Sequence, residues 1–149
     1  MFENKKVLLV CSPYYKDITK NLIKGASQIF KENSVKFKII YVPGALEIAP
    51  VIKYFSERSS KKKLFDGYVA LGCVIRGETY HFEIVSNVSA RSLSELSITY
   101  SLPIGNGILT VENKDQAIER SDPFKLNKGG GAALACLSLI KHKNNILYD

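Results

Sequence analysis

Apolar and polar positions along the chain switch back and forth between two periods. Residues 7–11 form a short apolar run, and Ile18, Leu22, Ile23, Ala26, Ile29 and Phe30 then recur at helical spacing, with Asp17 placed to cap the start. Val35, Phe37, Ile39 and Tyr41 follow in a two-residue period that Pro43-Gly44 ends, and Ile48, Ile52 and Phe55 predict a second helix. Residues 67–75 are apolar almost without interruption, which suits a strand covered on both faces. Val85, Val88, Leu93 and Leu96 support a third helix over 81–100, closed by Pro103. A fourth strand is expected over 107–111. Asn113 with Gln116 three residues on resembles a capping box for a short helix ending near Arg120. A last helix over 127–143 places Ala132, Ala135, Cys136, Leu139 and Ile140 on one face.

Strand and helix alternate four times, and parallel neighbours need crossover connections. The pattern therefore predicts an α/β fold of three layers, a central four-stranded parallel sheet with helices on both faces. No repeat, low-complexity tract or linker divides the chain, so residues 1–149 read as a single domain, long enough to bury about two-thirds of its unfolded surface.

Composition changes this picture little. The formal charge of +7 invites a nucleic-acid partner, but much of the excess lies in Lys61-Lys62-Lys63, Lys125, Lys128, Lys141 and Lys143, with no aromatic-interleaved basic stripe. The tri-lysine run reads as a solvated loop, and a basic balance also suits substrates that carry phosphate. Cys11, Cys73 and Cys136 are odd in number, widely spaced and set in apolar surroundings, so free buried thiols are expected. No Cys/His pair has zinc spacing. No apolar run reaches the ~18 residues of a membrane helix, and the opening MFENKKVLLV has no cleavage site behind its apolar part, so the expectation is a cytoplasmic protein.

In open parallel sheets, ligands sit beyond the carboxyl ends of the strands. Four loops qualify: Ser12-Pro13-Tyr14-Tyr15, Pro43-Gly44-Ala45-Leu46-Glu47, residues 76–81 and residues 110–113. The third is a polar knot between a buried strand and a helix start. Gly77 allows close backbone approach there, and the free amides of the helix with the Thr79 hydroxyl form an anion site suited to phosphate. The spacing from Gly72 to Gly77 imitates a nucleotide-binding P-loop, but Glu78 stands where the lysine would be and would repel phosphate, which argues against a nucleoside triphosphate. His81, one of two histidines, is placed to exchange protons with a ligand in that site. Tyr14 and Tyr15 can pack beneath their loop or stack on a flat heterocycle. Glu47 can serve only as a first-turn carboxylate or can accept hydrogen bonds from a polyol. Arg120 and Lys128 carry no specific signal alone.

Taken together, "VPGALEI", "LGCVIRGETYH", "GILTVENKDQAIER" and "NKGGGAA" resemble, in order and spacing, the signature segments of the lumazine synthase family. The resemblance covers the chain from Val7 to the last helix. It implies a flavodoxin-like fold without a cofactor or metal. It also implies an enzyme that condenses 5-amino-6-(D-ribitylamino)uracil with 3,4-dihydroxy-2-butanone 4-phosphate to 6,7-dimethyl-8-ribityllumazine, the penultimate step of riboflavin biosynthesis. By position in those segments, Tyr14 matches the ring that stacks on the pyrimidine. Gly44, Ala45, Leu46 and Glu47 match the part that holds the ribityl chain. Cys73, Val74 and Ile75 match the strand end along the pyrimidine. Gly77, Glu78 and Thr79 match the phosphate cradle, His81 the acid/base histidine, Arg120 the phosphate-binding arginine, and Lys128 the lysine of the last segment.

Similar enzymes build each site between neighbouring subunits of a pentamer, which implies that Asn106 and residues 120–128 serve the adjacent copy. Asn106 stands where many relatives have an aromatic facing the pyrimidine, and Gly131 where many have a carboxylate. Capsid-forming relatives tend to have glycines in the loop that here reads Ser121-Asp122-Pro123-Phe124-Lys125-Leu126, so a pentamer or a pair of pentamers is expected instead of a sixty-subunit shell. Three rival readings are a riboflavin synthase of the archaeal type, a non-catalytic scaffold that binds flavin or lumazine, and a nucleic-acid protein whose affinity falls steeply with salt.

Overall fold

The computed structural model describes residues 2–58, 62 and 64–146. Nine elements follow in the order β1 Lys6–Cys11, α1 Lys16–Glu32, β2 Lys36–Tyr41, α2 Ile48–Arg58, β3 Gly67–Ile75, α3 His81–Thr99, β4 Ile104–Val111, α4 Lys114–Ser121 and α5 Lys128–Ile146. A 3-10 turn, Ala45–Glu47, leads into α2. The described strands form one parallel sheet in the order β2-β1-β3-β4.

The central strands show why their sequences are apolar without interruption. Val7, Leu9 and Cys11 of β1 and Val69, Leu71 and Cys73 of β3 face a core shared with α1, α4 and α5. Leu8 and Val10, with Tyr68 and Ala70, turn to a second core under α2 and α3. Successive strand side chains point to opposite faces, so a strand with helices on both sides has no position left for water. Each fully buried Leu or Val of these strands contributes roughly 1.5–3 kcal/mol. The expected three-layer α/β architecture is present.

Several local expectations are corrected. Tyr15, in extended backbone and without a side-chain bond, precedes α1 where a cap would stand, and Asp17 instead lies inside the first turn and pairs with Lys114 of α4 at 3.0 Å. β4 begins at Ile104, three residues before the expected Gly107, because the ladder to β3 runs from Tyr68↔Ile104 through Gly105 and Asn106. Pairing outweighs the weak strand preference of Gly and Asn. Tyr41 points outward on the edge strand β2 and is 61% exposed. In α3, Val88 is exposed while Val85, Ser89 and Leu93 are buried.

α5 starts at Lys128, after Asn127, whose φ of 45° lies in the left-handed region and whose Oδ1 accepts from the Gly130 amide. Its buried stripe is Ala132, Ala133, Cys136, Leu137 and Ile140, and Ala135 and Leu139 are exposed. Asn113 does cap α4, accepting from the Gln116 amide at 2.9 Å, but the Gln116 side chain returns its bond to the Glu112 amide. Of the tri-lysine run, Lys61 and Lys63 lie outside the described residues, and Lys62 is exposed.

Candidate active site

The chain reverses its direction of strand addition between β1 and β3, and a cavity of about 460 Å³ opens beyond their carboxyl ends. Helix connections leave to opposite faces at such a point, so a crevice forms without any side chain being removed. Ser12 fastens two of its walls. Its amide donates to Leu71 O at 2.9 Å, its carbonyl accepts from the Thr19 hydroxyl at 2.8 Å, and its own hydroxyl reaches Pro43 O at 3.5 Å. The loops after β1 and β2 are thereby held against each other.

One wall carries Tyr14 and Tyr15, whose rings meet edge to face with centroids 5.0 Å apart. Tyr14 is 74% exposed, a free aromatic face at the cavity mouth. Lys114 lies over the Tyr15 ring at 5.6 Å and bonds Asp17, which holds the Asp17 carboxyl below its ordinary range. Burial, with Tyr14 beside it, raises the Tyr15 phenol. A second wall is residues 43–47, where the Glu47 carboxylate folds back over Gly44: a Cβ on that glycine would stand 3.3 Å from Glu47 Oε2.

The floor is Cys73, Val74 and Ile75, the last turn of the pleat of β3. Burial pushes the Cys73 thiol up to about 11 and the Cys11 thiol up to about 12. Both therefore remain protonated near neutral pH, where only a thiolate would act as nucleophile or metal ligand. Among the described residues no three His, Cys, Asp or Glu side chains come together as a metal-binding group.

The third wall is the loop between β3 and α3. Gly72 lies inside β3, paired with Ile108, so the first four positions of the P-loop spacing, 72–75, are strand where a P-loop would have loop. A Cβ on Gly77 would meet nothing within 4 Å, which leaves its backbone open to the cavity. Thr79 Oγ1 accepts from the His81 amide at 3.4 Å and so marks the start of α3. Gly77, Thr79, His81, Phe82 and Val85 all line the cavity.

Of the residues singled out in the sequence, Tyr14, Gly44, Ala45, Leu46, Glu47, Cys73, Val74, Ile75, Gly77, Thr79 and His81 meet at this one cavity. Glu78, exposed in the same loop, does not line it, nor do Asn106, Arg120 and Lys128. Asn106 is exposed on the edge strand β4, with its Oδ1 accepting from the Ile108 amide at 3.0 Å. Arg120 Nη1 donates to Gln116 O at 3.3 Å and stands 3.6 Å from Glu119 Oε2. Lys128 is the exposed first residue of α5. No lysine or arginine lines the cavity among the described residues, so within one chain the expected anion site offers amides, a hydroxyl and an imidazole but no permanent cation.

Ser12, Tyr15 and Pro43 line the cavity from two of the loops expected to carry ligand, while sequence reasoning passed over Phe82 and Val85 as lining residues. Val85 follows His81 by four positions, a helical spacing that could have shown it.

A four-stranded parallel sheet with this strand order and a cavity at its switch point defines the flavodoxin-like class of α/β proteins. Comparison with known families narrows the class. The family model of 6,7-dimethyl-8-ribityllumazine synthase matches residues 4–144. A protein of that name from Bartonella tribocorum is 50% identical over 143 residues, 96% of this chain and 93% of its own. Those from Bartonella henselae and Zymomonas mobilis are 52% and 47% identical, over 92% and 95% of this chain and 87% and 98% of theirs. The chain belongs to the 6,7-dimethyl-8-ribityllumazine synthase family.

Proposed function

We propose that residues 1–149 form one domain that makes 6,7-dimethyl-8-ribityllumazine from 5-amino-6-(D-ribitylamino)uracil and 3,4-dihydroxy-2-butanone 4-phosphate, the penultimate step of riboflavin biosynthesis. The observation that supports the site assignment is that the Tyr14 ring, the Glu47 carboxylate, the open loop at Gly77 and His81 border one cavity. Both substrates then fit side by side.

In this reading the pyrimidine lies along Cys73, Val74 and Ile75 against the Tyr14 ring, and its ribityl hydroxyls donate to Glu47 beside Gly44, Ala45 and Leu46. The phosphate takes the amides from Gly77 to His81 and the Thr79 hydroxyl, with Glu78 turned to solvent. The 5-amino group attacks the ketone of the second substrate, and loss of water gives a Schiff base. Removal of a proton then expels phosphate, and the resulting enol, as its keto tautomer, is attacked by the ribityl-bearing nitrogen with loss of a second water. Each step moves a proton, and the His81 imidazole is the group at hand to carry it. Much of the acceleration comes from holding two reactants in contact.

The cations that phosphate needs come, in this reading, from a neighbouring copy. Arg120, Lys128 and Asn106 lie off the cavity of their own chain, and α3 exposes Ile84, Val88 and Ile98, with Tyr80 and Tyr100 near its ends, an apolar face suited to burial against another subunit. A pentamer, or a pair of pentamers, with a site at each subunit boundary brings both sets together. Arg120 then grips the phosphate by a fork of donors and steadies it as it leaves, with Lys128 beside it. Asn106 offers a polar contact to the pyrimidine. Three free, buried thiols suit the reducing cytoplasm, and among the described residues no helix is long and apolar enough to cross a membrane.

The test is purified protein with both substrates, followed by lumazine absorbance and fluorescence against the slow uncatalysed background. Product well above background is expected. Pyrimidine binding without product would leave a binding scaffold of the same fold. For Arg120→Ala, the KM for the butanone phosphate should rise by about tenfold or more, the cost of losing a charged hydrogen-bond partner, while pyrimidine affinity changes little. Equal weakening of both substrates would remove Arg120 from the phosphate site.

A further inference from the structure

Arg76, the first residue after β3, lies in the same loop as the proposed phosphate cradle yet does not line the cavity. Its amide still donates to Val111 O at 2.9 Å, so its backbone is held to the end of β4. All three nitrogens of its guanidinium are engaged. Nε and Nη2 fork onto the two carboxylate oxygens of Glu112 at 2.6 and 3.3 Å, and Nη1 donates to Glu83 Oε1 in the first turn of α3. The guanidinium carbon sits 4.4 Å over the ring of Phe82, whose other contacts include the cavity wall.

We propose that Arg76 is a positioning residue for the anion site: clamped by Glu83 and Glu112 and seated on Phe82, it fixes the loop from Gly77 to His81 and does not itself bind the phosphate. The inference rests on the phosphate-binding role given above to that loop.

Two physical arguments carry it. The loop needs a clamp, because Gly77 has no neighbour within 4 Å of a Cβ position and the cap bond from Thr79 is long, at 3.4 Å. The bond from Arg76 to Glu83 ties the strand end to the helix start across that loop, and Glu112 anchors the same guanidinium to β4. Exposed ion pairs are individually weak, but a forked pair joined to a second carboxylate and an aromatic face forms a network.

The charge balance argues against direct phosphate binding. One cation between two carboxylates leaves a net negative cluster, which an approaching phosphate would avoid. Glu83 Oε2 is buried without a hydrogen-bond partner among the described residues, so Arg76 compensates that carboxylate and holds it below its ordinary range.

The experiment titrates inorganic phosphate and, separately, the ribitylaminouracil into wild type and Glu112→Asp by calorimetry, with thermal midpoints alongside. Neither titration needs turnover, so an inactive wild type that binds phosphate would count against the proposed reaction and leave the positioning role standing. Glu112→Asp, which keeps the charge but is too short for the fork, should weaken phosphate by roughly threefold to tenfold, with pyrimidine affinity and thermal midpoint nearly unchanged. Tighter phosphate binding would mean that the freed arginine is itself a ligand, and the proposal fails. It fails equally if phosphate affinity does not move, if both ligands weaken together with the thermal midpoint, or if wild type binds no phosphate.

Discussion

His81→Ala is expected to lower turnover by about 10²-fold, the lower range of what a placed general acid or base contributes. The expectation rests on position. His81 is the first residue of α3, exposed, and lines the cavity between the Gly77 loop and the Tyr14 wall. Its backbone amide donates to the Thr79 hydroxyl, and among the described residues its imidazole has no hydrogen-bond partner, so the ring is free to meet a substrate. An exposed side chain with no packing role changes stability by no more than about 0.5 kcal/mol when truncated, so the thermal midpoint should hold while the rate falls. Residual turnover above background is expected too, because the cavity still brings the two substrates together. Single-turnover lumazine formation reads the step directly. An unchanged rate would take His81 out of the mechanism.

Gly129→Ala should destabilise the protein by about 1–3 kcal/mol, and Gly131→Ala, two residues along the same helix, should stabilise it by up to about 1 kcal/mol. A Cβ on Gly129 would stand 2.1 Å from Leu22 O and 2.8 Å from Leu22 C and Cα, so α1 and α5 touch backbone to backbone there. Neither partner can rotate away, and Leu22 is fully buried in the core. On Gly131 the same atom would meet nothing within 4 Å, and alanine there only removes freedom from the unfolded chain. Denaturant unfolding of the pair measures both. Equal effects of the two substitutions would sink the close-contact account. The glycine run "GGG" of the last signature segment is thus partly a packing requirement of the fold. Gly130 shares it, since a Cβ there would lie 2.4 Å from Asn127 Nδ2.

The elements were legible because each carries its period locally. β3 reads as apolar from 67 to 75 and is buried at seven of nine positions, and the α1 positions Ile18, Leu22, Ala26 and Phe30 are all fully buried. Boundaries and faces were less so. Gly105 and Asn106 fall before the strand expected over 107–111, yet both are strand, because pairing with Val69 and Ala70 overrides their own preference. Ala135 and Leu139 looked like core and are exposed, since a helix with apolar residues on more than one side does not announce which side meets the sheet. The loop residues Gly44, Glu47, Gly77, Thr79 and His81 were legible as a site from their place after apolar runs, because strand ends in a parallel sheet share one edge.

The sequence by itself determined the alternation of strands and helices, the parallel sheet that follows from it, the family segments and the loops that carry polar chemistry. Each element and each segment is carried by residues close together in the chain. Tertiary structure alone decided the order β2-β1-β3-β4, which sets the loops after β1 and β3 around one cavity, and, among the described residues, the absence of lysine and arginine from that cavity. It alone joined Arg76 to Glu112, 36 residues away, and pressed Gly129 against Leu22. Periodicity records that a face is apolar or a loop polar. It carries no record of the partner, because which surface meets which is settled only when the whole chain buries its apolar area at once.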